Sequence, residues 1–132
     1  MPDAVVVDTD VISYVFRGDS RANLFRPHLE QSVPVLSFMT VAELDQWTIV
    51  HRWESGRRKR LDELISRCAI HLVDRDLCRV WAEVGATACS YGRPIQAADA
   101  WIAATALRLG VPLVTNNRAD YAGVPGLRIL PE

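Results

Sequence analysis

Acidic side chains stand at the ends of apolar runs at four places in this chain. Asp8 closes Ala4-Val5-Val6-Val7, and Glu43 follows Val35-Leu36-Ser37 at the head of a helix-like segment. Asp99 lies in the first turn of the segment from Gln96 to Ala104, and Asn117 and Asp120 follow Leu113-Val114-Thr115. If these runs are strands of a parallel α/β sheet, their carboxyl ends share one rim, and ligands bind there. Carboxylates gathered on one rim repel each other unless a cation joins them. Hard divalent cations such as Mg²⁺ prefer such oxygen ligands.

Each residue also has a plainer use. Asp8 fits a helix cap. Thr40 and Glu43 have the T-x-x-E spacing of a capping box, which needs no metal. Asp99 suits a helix dipole, and Asp120 suits a turn. Singly, these uses suffice. They do not explain why all four positions fall where strand ends and helix starts would meet.

The elements that must hold these residues follow from the pattern. Ala4–Val7 reads as a first strand, buried on both faces. Asp8 or Thr9 caps a short helix over 11–16. The turn Arg17-Gly18-Asp19-Ser20 leads to a second short helix over 21–29, which Pro27 should end or kink. Val35–Ser37 is a second strand. With Thr40 as cap, the next helix should run to about Glu54, where Gly56 breaks it. The basic run then starts a helix reaching about Arg67, with Leu61, Leu64, Ile65 and Cys68 as its core stripe. Ala69–Val73 is a third strand. Asp74 caps a long helix with the stripe Leu77, Val80, Trp81, Val84 and Ala88, and Gly92 ends it. Pro94 marks the start of a helix to Leu109 that buries Ala98, Trp101, Ile102, Thr105 and Leu109. Val111–Thr115 is a fourth strand and Arg128–Leu130 a short fifth. This alternation predicts a doubly wound α/β fold with a central, mostly parallel sheet of four to five strands.

At 132 residues the chain is expected to form one domain over 1–132, with ordinary globular composition. No apolar run reaches the length of a membrane span. No basic region followed by an apolar region opens the chain, so a soluble, cytoplasmic protein is expected. A net charge of −1 implies no partner by itself. The basic residues do cluster at Arg52, Arg57, Arg58, Lys59 and Arg60, and Lys59 is the only lysine. That cluster fits a solvated helix face, phosphate contacts on a nucleic acid, or a protein partner. Trp47 or Trp53 beside it suits stacking on an unpaired base. Cys68, Cys78 and Cys89 lack metal or disulfide spacing and read as small buried thiols. His28, His51 and His71 read as packing or surface residues.

The four acidic segments, taken in order, resemble the PIN-domain ribonucleases, and more narrowly the VapC toxins of bacterial toxin–antitoxin pairs. The segments are Val5-Val6-Val7-Asp8-Thr9-Asp10-Val11-Ile12, Thr40-Val41-Ala42-Glu43-Leu44, Pro94-Ile95 with Asp99 to Ala106, and Leu113 to Tyr121. The resemblance covers essentially the whole chain and implies a PIN-like, three-layer fold. It implies that Asp8, Glu43 and Asp99 are metal ligands for Mg²⁺ or Mn²⁺. The family's closing motif is commonly T-x-D-x-x-D-F. Here Asn117 stands at its first acid, Asp120 at its second, and Tyr121 replaces the phenylalanine. Asn117 is neutral, so the site holds less negative charge. Thr115 is expected to hydrogen-bond a site carboxylate or a metal-bound water, and Asp10 to support the site from behind. The implied activity is endonucleolytic RNA cleavage by metal-activated water. The implied partners are an RNA substrate, a cognate VapB-like antitoxin and a second copy of the chain in a homodimer.

Two rivals deserve weight. Asp8-x-Asp10 after a strand also opens the first motif of haloacid-dehalogenase-like phosphatases. That reading needs a later lysine and a closing Gly-Asp-x-x-x-Asp, and neither is present in the required place. A PIN-like module that only binds RNA or protein would be expected to lose acidic ligands, yet Asp8, Glu43 and Asp99 are all retained.

Overall fold

The computed structural model describes residues 2–132. The elements run β1 (Ala4–Val7), α1 (Thr9–Arg17), a 3-10 turn (Ser20–Leu24), α2 (Arg26–Glu30), β2 (Val33–Ser37), α3 (Phe38–Val50) and α4 (Ser55–Ser66). They continue with β3 (Ala69–His71), α5 (Arg75–Ser90), α6 (Ala97–Leu109), β4 (Leu113–Val114), a 3-10 turn (Arg118–Tyr121) and β5 (Ile129–Leu130). The five strands form one sheet in the order β3-β2-β1-β4-β5, and every pairing is parallel. Parallel strands need crossover connections, and those helices cover both faces.

The alternation of side chains along β1 divides the core in two. Val5 and Val7 point to the face covered by α1, α3 and α4, where Val11, Ile12, Leu36, Leu44, Leu61 and Ile65 pack. Val6 points to the opposite face, under α5 and α6, with Leu77, Val84, Ile102, Leu113 and Tyr121. The result is the three-layer α/β arrangement expected. No helix among the described residues is long and apolar enough to cross a membrane.

Several local expectations are corrected. The capping box at Thr40 does not form: Ser37, the last residue of β2, caps α3 by accepting from Met39 N at 3.1 Å. The strand therefore passes directly into the helix, and Thr40 and Glu43 lie inside it. α3 also stops early, at Val50, because Arg52 turns into the left-handed region with φ 51. Gly56 is not the break; it sits inside α4, which Glu54 caps through Arg57 N. Pro27 starts α2 rather than ending a helix, as its fixed φ and missing N–H allow. Pro94 lies before α6, whose cap position is Gln96. That helix buries Ala100, Ile102, Ala103, Ala104, Thr105 and Ala106, while Leu109 is exposed. Alanines dominate this face because a small side chain lets a helix lie close to the sheet. Strands β3, β4 and β5 are shorter than the strands expected at 69–73, 111–115 and 128–130. Cys68 and Cys78 are half-buried and Cys89 is exposed, so the thiols are not uniformly buried.

Candidate active site

Strand order reverses at β1: the chain moves outward through β2 and β3, then returns to β4 on the other side. In open α/β sheets a crevice forms at such a switch point, outside the carboxyl ends of the strands. Asp8 follows β1 and Thr115 follows β4, so both stand at the switch point.

Asp8 is buried at 6 % exposure and bound three times. Its Oδ1 accepts from Thr9 N at 2.7 Å. Its Oδ2 accepts from Thr115 Oγ1 and Tyr121 OH, each at 2.8 Å. Asp8 is thus a helix cap and a cleft residue at once. Burial pushes its carboxyl above the usual range, and the bonds from Thr115, Tyr121 and Thr9 oppose that rise.

Thr40 and Glu43 are three residues apart on α3 and share one face. Thr9 Oγ1 lies 2.9 Å from both Glu43 Oε1 and Thr40 Oγ1. An ionised carboxylate only accepts, so Thr9 donates to Glu43 and Thr40 supplies the proton to Thr9. The T-x-x-E spacing therefore serves the rim and not the helix end. Burial, then the charge of Asp8, raises Glu43, against the pull of Thr9.

Asp99 occupies the first turn of α6, half-buried. Burial comes first, then the charges of Asp8, Asp120 and Glu43, and together they push its carboxyl up to about 6. A residue serving only a helix dipole would be stabilised as the anion; Asp99 is instead held among like charges. Asp120, in the 3-10 turn after β4, is exposed and lines a polar cleft of about 350 Å³ with Asp99, Arg93 and Gln96. Asn117 Nδ2 donates to Asp10 Oδ2 at 3.0 Å. Asp10 Oδ2 also accepts from Asn116 N at 3.2 Å, and Asp10 Oδ1 from Val11 N at 2.7 Å. Asp10 thus anchors the loop after β4. Burial and Asp8 push Asp10 up to about 6.

Among the described residues, ion pairs lie at Arg21–Asp19, Arg108–Asp76 and Arg128–Glu132, and none involves Asp8, Asp10, Glu43, Asp99 or Asp120. Also among the described residues, no three His, Cys, Asp or Glu side chains converge into a ready-made metal cage. The donor set is nonetheless all oxygen and carries uncompensated negative charge. Mg²⁺ is commonly held by one or two carboxylates, with water and substrate phosphate completing its shell. These residues fit that mode.

The basic cluster lies apart from the acidic cleft. Arg57 covers Trp53, its guanidinium 3.9 Å from the ring centroid, and Trp53 stacks on Phe16 at 5.4 Å. These three line a groove of about 500 Å³ with Leu44, Trp47 and Leu61, between α1, α3 and α4. Trp53 thus packs against both Phe16 and Arg57, and the Arg57 guanidinium also lies 5.9 Å from the Phe16 ring centroid. Arg52, Arg58, Lys59 and Arg60 are exposed.

Sequence reasoning singled out neither Arg93 nor Gly123. A Cβ on Gly123 would lie 2.5 Å from Arg93 O. Gly123 thus lets the loop before α6 close onto the segment after Asp120. The signal available was a glycine two residues past the motif, which a single chain does not distinguish from a turn.

The PIN domain family model matches residues 5–125. Ribonuclease VapC1 of Haemophilus influenzae strain R2866 is 26% identical over 127 residues, covering 93% of each chain. The structure of VapBC2 from Rickettsia felis, bound to a DNA fragment from its promoter, superposes with a TM-score of 0.83 at 22% identity over 96% of each chain. VapBC-1 from nontypeable Haemophilus influenzae gives 0.82 at 25% identity, again over 96% of each.

Proposed function

The chain belongs to the PIN-domain family, and on that premise we propose that it is a VapC-like endoribonuclease toxin neutralised by a cognate VapB-like antitoxin. The observation that carries this reading is that Asp8, Glu43 and Asp120 lie close enough to raise Asp99 together, and among the described residues none of the four acids forms an ion pair. The similar protein named above is a ribonuclease, and the similar solved structures are VapBC complexes. The same reading includes a homodimer and a cytoplasmic location.

One or two carboxylates of the set Asp8, Glu43, Asp99 and Asp120 would hold Mg²⁺ or Mn²⁺, with water and substrate phosphate completing its shell. Bound there, the ion would lower the pKa of water and offset charge on the phosphate. The chain's own residues do the positioning. Thr115, Tyr121 and Thr9 N hold Asp8, and the Thr40–Thr9 relay holds Glu43. Asp10 fixes the loop that carries Asp120. Arg93 supplies a cation at the cleft wall, where an approaching phosphate would otherwise meet only acids and neutral groups. The groove around Trp53 combines aromatic and aliphatic side chains with Arg17 and Arg57, and it suits an amphipathic segment of the antitoxin.

The test compares wild type with Asp8→Asn, Glu43→Gln and Asp99→Asn. Purified proteins are incubated with RNA and Mg²⁺, and new 5′ ends are sequenced. Each variant should lose most cleavage while its circular dichroism stays native. A folded variant that cuts at the wild-type rate removes that residue from the site. Wild-type cleavage that persists in chelator removes the metal.

A further inference from the structure

We propose that Tyr121 is a positioning residue of this site: its phenol, with Thr115, fixes the Asp8 carboxylate so that one acceptor position on Oδ1 remains to take up a cation. This rests on the nuclease reading above and deepens it. Tyr121 ends the 3-10 turn after β4 and is 2 % exposed. Its ring packs in the core under α5 and α6 with Val6, Leu113 and Val124. The ring is therefore placed by packing, and the hydroxyl reaches out of that core to Asp8 Oδ2 at 2.8 Å.

Proton directions follow from the partners. Asn117 N donates to Thr115 Oγ1 at 3.0 Å, so the Thr115 hydroxyl hydrogen is free to point at Asp8 Oδ2. Tyr121 OH donates to the same oxygen. A carboxylate offers about four lone-pair positions. Thr115 and Tyr121 take both on Oδ2, and Thr9 N takes one on Oδ1. Asp8 is thereby held from two strand ends and left with a single defined acceptor. A phenylalanine at 121 would fill the same core space and leave Oδ2 with one donor.

The plainer account is that a buried phenol simply needs an acceptor and found Asp8. The two accounts differ in what the cation feels. Loss of a hydrogen bond that orients a metal ligand typically costs 10–100-fold in metal affinity. The experiment measures Mn²⁺ binding to the full chain by paramagnetic resonance and calorimetry for wild type, Tyr121→Phe and Thr115→Val. Asp8→Asn serves as the reference for loss. Tyr121→Phe should melt close to wild type in chelator, yet bind Mn²⁺ roughly 10-fold or more weakly. The Mn²⁺ concentration for half-maximal RNA cleavage should rise in step, and Thr115→Val should move both readouts the same way. Equal Mn²⁺ affinity in wild type and Tyr121→Phe overturns the role of Tyr121 and leaves the site standing. A Tyr121→Phe protein that does not fold shows the hydroxyl to be structural and overturns it as well. Wild type that takes up no Mn²⁺ brings down the site reading together with the proposal.

Discussion

Asp10 and Asn117 show how a neutral residue can stand where an acid is expected. Asn117 spends its side-chain amide on Asp10, donating through Nδ2 at 3.0 Å. The pair ties the loop between β4 and Asp120 to α1, and a supporting role for Asp10 follows from that contact. Asp10→Ala should therefore lower RNA cleavage by about 10–100-fold, in the range of lost supporting contacts. Asp10→Asn should recover part of that loss, because its amide oxygen still accepts from Asn116 N. Cleavage rates for the two variants beside Asp99→Asn decide the matter. If Asp10→Ala loses as much as Asp99→Asn, and Asp10→Asn recovers nothing, Asp10 belongs with the ligands. Asp8, Glu43, Asp99 and Asp120 stood out as candidates because each lies at the edge of an apolar segment. Their partners were harder. Thr40–Glu43 matched a local motif, and the contact that matters joins Glu43 to Thr9 across two helices. Tyr121 stood out as a substitution, but its bond to Asp8 spans nearly the whole chain.

At the scale of elements, two segments must close on each other to bring Asp99 and Asp120 together. The loop before α6 carries Arg93, and the segment after the second 3-10 turn carries Gly123, with no room for a side chain between them. Gly123→Ala must push backbone from backbone, because the atom in its way is a carbonyl oxygen. The expected cost is about 1–3 kcal/mol, as for overpacking generally. Activity should fall further than that stability loss would explain, since the displacement falls between two site acids. Chemical denaturation and cleavage rates on one preparation test this; a fully active, undiminished Gly123→Ala would show that the contact relaxes freely. The order and type of elements were legible because strands and helices have different apolar periods. Boundaries were not. α3 begins where β2 ends because a serine in the strand doubles as the helix cap. The buried face of α6 runs through alanines, which carry little periodic signal; Trp101 packs against the core as expected, while Leu109 misled the pattern.

For the whole molecule, the acidic rim opposes folding until something neutralises it. Asp10 and Asp99 each have a folded pKa of about 6 against an ordinary 3.8, through burial and neighbouring charge. Between those values the folded chain holds more protons than the unfolded one, so stability must fall as pH rises through that window. Their contribution is fully present below about pH 4 and lost above about pH 6. Both groups are partly open to water, so screening reduces the effect to the order of 1 kcal/mol each, a few degrees in Tm for a chain this size. Melting in chelator at pH 5 and at pH 7.5 should show wild type losing stability with rising pH. Asp99→Asn cannot ionise at 99, so it should lose less and be the more stable protein at pH 7.5. Mg²⁺ inverts this ranking if the rim binds it. An ion that prefers the folded state at a hundred times its Kd adds about 2.7 kcal/mol, enough to outweigh the repulsion. That gain should appear at pH 7.5, shrink at pH 5 where protons compete for Asp99, and be much smaller in Asp99→Asn at either pH. Melting curves that cross between chelator and Mg²⁺ at pH 7.5, but not at pH 5, are the expected result. Should Asp99→Asn melt below wild type in chelator at pH 7.5, Asp99 is held by its helix and not crowded by the rim. If Mg²⁺ moves neither protein at either pH, the carboxylates have gathered for some purpose other than a cation.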